Sequence, residues 1–116
     1  IRALSPVFLG SKVLWTRHTG DPLPPGATPF KPDPPVRELS TAGAGAVVSL
    51  LEKNRQRFLI IVNRDIEHPM HLHVSLDSTT AVSEVRKDGS THPIDSREFS
   101  AQCEPGDLRI LCWSKP

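Results

Sequence analysis

Eight consecutive residues, Met70 to Asp77, alternate strictly between apolar and polar side chains. Successive side chains of a β-strand point to opposite faces, so Met70, Leu72, Val74 and Leu76 would share one face. An antiparallel strand with this pattern buries one face against another layer and leaves the other face to solvent. We therefore predict a strand of a layered β-protein here.

Other stretches of the chain give further strand signals. Short apolar or alternating segments, separated by turn residues, are Ser11–Thr19, Ala44–Glu52, Phe58–Val62, Thr80–Lys87, Arg97–Cys103 and Asp107–Trp113. Phe58–Val62 is apolar on both faces, which favours a central strand, and Val13 and Trp15 are expected on one face of the first strand. No segment shows helical periodicity with caps. The sequence predicts an all-β, antiparallel β-sandwich of about seven to eight short strands, such as an immunoglobulin-like sandwich.

The last two segments flank a Pro-Gly turn, and we predict that they pair as a hairpin. In this register Cys103 lies opposite Leu108. Cys112 then lies opposite Phe99, about 13 Å from Cys103 along the strands. A disulfide needs Cα atoms within about 7 Å, so we expect two free, mostly buried thiols.

The segment Asp21–Pro35 holds seven of the twelve prolines. Proline lacks a backbone N–H and fixes φ, so the segment is expected to form an extended strap over the surface, held by Phe30. We expect residues 11–116 to form one domain that includes the strap. Residues 1–10 are interpreted as the remnant of a preceding domain or linker, because the sequence begins at Ile1 without an initiator Met or a signal peptide.

Composition excludes several classes of function. The 116 residues suit a single domain, and the net charge of +1 is scattered, so there is no basic stripe for nucleic acid and no polybasic patch for a membrane. No apolar run reaches the about 18 residues that a membrane span needs.

Three histidines, His68, His71 and His73, lie within six positions. On a strand His71 and His73 would share a face and could both ligate one metal ion, but two ligands do not complete a site. "HPMHLH" resembles the HPxHLH block of multicopper oxidases. Those enzymes continue with Gly-His and have a later His-Cys-His segment, and both are missing here. We therefore expect no metal and no cofactor. If a metal ion does bind, His68, His71 and His73 are the candidate ligands.

Motifs of catalysis are also missing from the sequence. There is no GxSxG, no phosphate-binding glycine loop, and the acids mostly occur at turns. Spacing alone leaves a glycosidase-like pair of carboxylates open, but a small sandwich offers little room for a deep cleft. Flat carbohydrate-binding faces usually rely on exposed aromatic rings that stack on the sugar. Trp15 and Trp113 lie in apolar strands, where burial is expected.

Four segments together are similar to a known kind of domain: "VLWTRHTGDPLPPG", "RFLIIVNRDIEHPMHLHVSLD", "VSEVRKDGS" and "FSAQCEPGDLRIL". They resemble the C-terminal β-sandwich of glycoside hydrolases. The landmarks are a strand that ends at Ile61–Asn63, a turn at Asp88–Gly89 and a closing Pro105–Asp107 before the last strand. The resemblance spans about 100 residues, a length that fits one sandwich domain.

The resemblance implies a glycosidase C-terminal-domain-like fold and a non-catalytic accessory domain of a secreted or periplasmic carbohydrate-active enzyme. Its partner would be the catalytic domain of the parent chain, so no residue here inherits a catalytic role and the isolated chain is expected not to be an enzyme. His71, His73, Trp15 and Trp113 are the candidate interface residues. A carbohydrate- or protein-binding module and, less favoured, a cupredoxin-like metal protein remain the alternatives.

Overall fold

The computed structural model describes residues 10–20 and 23–115. These residues form nine β-strands: β1 Lys12–His18, β2 Val36–Ser40, β3 Ala46–Lys53, β4 Gln56–Asn63, β5 Met70–Leu76, β6 Ser83–Val85, β7 Thr91–Pro93, β8 Glu98–Cys103 and β9 Leu108–Ser114. The all-β prediction is confirmed, and β2 and β7 are additional to the predicted strands. Within the described ranges no helix has the length and apolar character to cross a membrane.

The strands form two antiparallel sheets, as predicted for a sandwich. One sheet has the strand order β1-β3-β4-β9-β6-β7 and the other has the order β2-β5-β8. The apolar residues of β5 face the six-stranded sheet, and Met70, Leu72, Val74 and Leu76 are at most 4% exposed. The alternation in the sequence therefore predicted both the strand and its buried face.

The six-stranded sheet is apolar on both faces. In β4, Leu59 and Ile61 belong to the core between the sheets, while Phe58 and Ile60 point away from it. The residues of this second face, which we call the outer cluster, are Leu51, Phe58, Ile60, Val62, Val85, Leu108, Ile110 and Cys112. None of the nine strands packs over the outer cluster, because the three-stranded sheet covers the opposite face.

The predicted hairpin between the last two segments is wrong. β8 pairs with β5, and β9 pairs with β4 and β6, so the Pro-Gly turn carries the chain from one sheet to the other. Cys103 consequently lies in the core between the sheets, whereas Cys112 lies in the outer cluster. Both thiols are free and buried, as predicted, because the six-stranded sheet separates them.

The expectation that Val13 and Trp15 share a face of β1 is also wrong. Val13 lies opposite Leu51 and Trp15 lies opposite Leu50, with a bulge between them. The extra residue, Leu14, reverses the alternation, so Val13 is 58% exposed while Trp15 packs against the core between the sheets.

The strap lies between β1 and β2, and its described part is not extended throughout as expected, because it turns at Pro25–Gly26 and again at Pro34–Pro35. Phe30 packs against the core, as predicted, and its N–H donates to the His18 carbonyl at 2.9 Å. His18 also forms an isolated bridge with Pro29, and the Pro34–Pro35 peptide is cis. Asp21 and Pro22 lie outside the described residues, as does the expected N-terminal remnant apart from Gly10.

Candidate functional site

A cavity of about 330 Å³ opens between the strap and the inner face of the six-stranded sheet, near the turn that joins β3 to β4. We call it the aromatic cavity. It is lined by Leu14, Trp15, Phe30, Asp33, Pro34, Val36, Leu50, Arg57, Leu59 and Trp113. The three-stranded sheet is narrower than the sheet it covers, and the strap closes only part of the remaining inner face.

Trp15 is held on two sides at the mouth of the aromatic cavity. The guanidinium of Arg17 lies over its ring, 4.0 Å from the centroid, and Phe30 meets it edge-on with centroids 6.2 Å apart. Arg17 is fixed in turn, because it donates to the Lys31 carbonyl at 2.7 Å and to the Asp33 carboxylate at 3.1 Å. The bulge in β1 turns Trp15 inward, and the strap then locks it in place.

Trp113 forms another wall of the aromatic cavity and carries an unsatisfied polar group. The residue is 5% exposed, and its buried indole N–H has no hydrogen-bond acceptor among residues 10–20 and 23–115. Indole is a donor only, and a buried donor without a partner costs free energy. The strand pattern predicted the burial of Trp113 but could not show the missing acceptor.

Paired charges surround the apolar interior. Arg57 donates to Glu52 at 3.3 Å, and Lys115 lies 3.5 Å from the same carboxylate. Burial acts to raise the pKa of Glu52, but the hydrogen bonds and charges of Arg57 and Lys115 outweigh it, and the pKa is lowered from 4.5. On the other side, the carboxylate of Asp33 is paired with Arg17.

This arrangement suits binding better than catalysis. Among the described residues that line the cavity, Asp33 is the one carboxylate, and it is already paired with a guanidinium. Glycoside hydrolysis requires two carboxyl groups that flank the scissile bond. Large aromatic surfaces with a few polar groups at the edge are the usual composition of a binding pocket.

The histidines lie elsewhere, on the solvent face of the three-stranded sheet. His71 is exposed, and His73 is hydrogen-bonded to Ser100 at 2.7 Å and lies 2.6 Å from the Glu98 carboxylate. His68 is in the turn before β5 and lies 2.9 Å from the carboxylate of Asp65. Within residues 10–20 and 23–115, no three His, Cys, Asp or Glu side chains are grouped to hold a metal ion.

Asn63 is a buried side chain with several hydrogen bonds, and it lies at the end of the sandwich opposite the aromatic cavity. It is 1% exposed, and its amide group donates to the His68 carbonyl at 2.8 Å and to the carbonyls of Cys103 and Glu104, each at 3.3 Å. Its side-chain oxygen accepts from the Asp65 N–H at 3.0 Å. Asn63 thus bonds both the backbone that follows β4 and the end of β8, so it ties the two sheets together.

The sequence named Trp15 and Trp113 as separate candidates but did not show that they line one cavity. It also missed the parts played by Asp33 and Arg57. The available signal was Phe30 in a strap of prolines, because a large apolar residue in such a segment must pack on something. Its contact with Trp15 could not be inferred, since it depends on the bulge.

The chain was also compared with known proteins. No protein-family model matches it, and no curated protein matches it.

Proposed function

We propose that the chain is a non-catalytic accessory β-sandwich domain of a larger carbohydrate-active enzyme, a glycoside hydrolase, and that it packs on the catalytic domain and stabilises it. The proposal rests on the sequence resemblance and on one structural observation, the outer cluster. Secretion or export to the periplasm follows from the resemblance and is part of the same proposal.

The outer cluster supports the proposal because antiparallel sheets with a solvent face normally alternate apolar and polar residues. Here Phe58, Ile60, Ile110 and Cys112 continue the apolar pattern on the second face, and each is at most 7% exposed. A sheet that is apolar on both faces is typical of the middle layer of three. The nine strands supply two layers, and the outer cluster continues the apolar packing on the face of the six-stranded sheet that the three-stranded sheet does not cover. A sheet face of this composition is suited to lying beside a neighbouring domain, which supports packing within a larger protein.

The polar face of the three-stranded sheet is less suited to a permanent interface. His71, His73 and Ser100 are surrounded there by other polar side chains, and permanent interfaces are more apolar than this. The expectation that His71 and His73 meet the catalytic domain therefore stays a prediction, and the outer cluster is the better-supported contact.

The coding sequence before Ile1 tests the proposal most directly. We expect a (β/α) barrel pattern with paired acidic residues at the ends of its strands, because the catalytic carboxylates must lie there. A start codon immediately before Ile1 would contradict the proposal.

An activity assay tests the non-catalytic part. The 116-residue chain, incubated with a panel of aryl glycosides and oligosaccharides, should show no turnover above a buffer blank. Turnover that co-purifies with the chain would refute this part. A second candidate function, carbohydrate binding, is favoured by the aromatic cavity.

A further inference from the structure

We propose that the aromatic cavity binds one ring of a neutral sugar, a pyranose. This inference goes beyond the accessory role and does not depend on it, because it rests only on the residues that line the cavity. It would hold equally for a stand-alone domain.

The apolar walls of the aromatic cavity fit the C–H faces of a sugar ring. Trp15, Phe30 and Trp113 bring three aromatic rings to one space, and Leu50 and Leu59 form its floor on the six-stranded sheet. A pyranose presents a flat patch of C–H groups that packs against aromatic rings, while its hydroxyl groups point outward from the edge. The volume of about 330 Å³ is at the lower end of the range for small-molecule sites, which favours one ring over a long chain.

The indole N–H of Trp113 favours a ligand that carries a hydrogen-bond acceptor. The Trp113 side chain lines the cavity, and its indole N–H is buried and has no acceptor in the described part of the protein. A purely apolar occupant would leave this donor unsatisfied, whereas a sugar hydroxyl or ring oxygen can accept from it. The unpartnered donor therefore distinguishes a sugar from a hydrocarbon side chain.

The charges at the mouth favour a neutral ligand. Asp33 is paired with Arg17, and Arg57 is paired with Glu52, so each charge already has its opposite. A phosphate or carboxylate ligand would bring a second negative charge beside the Asp33 carboxylate in the cavity lining, and this repulsion disfavours it. Hydroxyl groups can instead add hydrogen bonds to paired charges, since a carboxylate accepts more than one bond and a guanidinium donates five.

The walls are also held in position before any ligand arrives. Arg17 stacks on Trp15 and is itself bonded to the strap through the Lys31 carbonyl. Fixed aromatic rings lose little side-chain entropy on binding, so a small contact area can still give measurable affinity.

Titration followed by NMR tests the proposal, because the chain has two tryptophans and hence two indole N–H resonances. The full chain would be titrated with glucose, galactose, xylose, mannose and their β-linked disaccharides. We expect at least one to shift the Trp113 indole resonance in a saturable manner, with a dissociation constant of about 10 mM or tighter. The Trp113→Phe variant keeps a ring but removes the donor, and we expect about 5- to 10-fold weaker binding.

Further variants make the result specific to the aromatic cavity. Trp15→Ala should weaken binding by about 10-fold or more. If Trp15→Ala does not fold, the milder Trp15→Phe replaces it and should weaken binding by a smaller factor. His71→Ala, on the opposite outer face, is the matched control and should leave affinity unchanged.

Four results would overturn the proposal. The first is that no sugar shifts either indole resonance at concentrations up to about 100 mM. The second is a shift that stays unchanged in Trp15→Ala, and the third is tighter binding of a uronic acid or a sugar phosphate than of the neutral parent sugar. The fourth is that a proline-rich peptide occupies the cavity while sugars do not.

Discussion

The two outer faces of the sandwich differ in kind. On the three-stranded sheet, the outward residues are His71, His73, Ser75, Glu98, Ser100 and Gln102. Among them, His73 is hydrogen-bonded to Ser100 and Ser75 donates to Glu98. On the six-stranded sheet, the outward residues form the outer cluster, whose centre, Ile110, is 0% exposed. The outer face of the three-stranded sheet therefore meets solvent, whereas the six-stranded sheet is covered on both faces.

This difference explains why β5 and β4 look so unlike in the sequence. β5 alternates because one of its faces meets solvent, and β4 has five apolar residues in succession because both faces are covered. A continuous apolar strand in an antiparallel sheet therefore indicates that both faces of the sheet are covered.

A charge placed on each outer face gives the largest expected contrast. Ile110→Asp should lower the free energy of unfolding by at least about 4 kcal/mol, because a carboxylate would be buried without a partner. His71→Asp, on the exposed face, should change it by no more than about 0.5 kcal/mol. Urea unfolding followed by tryptophan fluorescence measures both. Equal tolerance of the two substitutions would show that the outer cluster is not an interior layer.

The link between the two sheets is expected to be the next most sensitive feature. Asn63→Ala removes the amide that bonds the carbonyls of His68, Cys103 and Glu104, so it should cost about 3 kcal/mol of unfolding free energy. Urea unfolding again gives the measurement, with exposed Gln102→Ala as the control. A loss no larger than that of the control would show that Asn63 is not the tie between the sheets.

The turn after β4, where the Asp65 N–H donates to the Asn63 side chain, should become less stable in acid. Hydrogen bonds from the backbone N–H of Glu67 and from His68 lower the pKa of Asp65 below 3.8, its ordinary value. A carboxylate with a lowered folded pKa stabilises the protein above its unfolded pKa, and this contribution is lost as the pH falls through the folded pKa. We expect the melting temperature to fall as the pH drops below about 4, and Asp65→Asn to make the fall less steep. An unchanged slope in Asp65→Asn would exclude Asp65 as a source of the acid sensitivity.

The sequence predicted the fold class, the central position of β4 and the buried face of β5, because each depends on the period of apolar residues along one strand. It failed where a single residue or a partner strand decides the outcome. Leu14 as a bulge reverses the faces of β1, and a turn at Pro105–Gly106 fits a hairpin as well as a crossing between sheets. The aromatic cavity could not be predicted for the same reason, since it depends on both the bulge and the contact of Phe30 with Trp15.

Thiol labelling gives the smallest and most local test of the two faces of the six-stranded sheet. Burial raises the pKa of both Cys103 and Cys112, so neither thiol should react readily with a disulfide reagent in the native protein, and both should react after denaturation. The conservative substitution Ile110→Val trims the outer cluster beside Cys112 without introducing a charge. It should increase the labelling rate of Cys112 by about threefold, as expected for a loss near 0.7 kcal/mol, and should affect Cys103 less. Mass spectrometry of labelled peptides separates the two sites. Equal acceleration of both cysteines would mean that the sandwich opens as one unit, and that the outer cluster is no less stable than the core between the sheets.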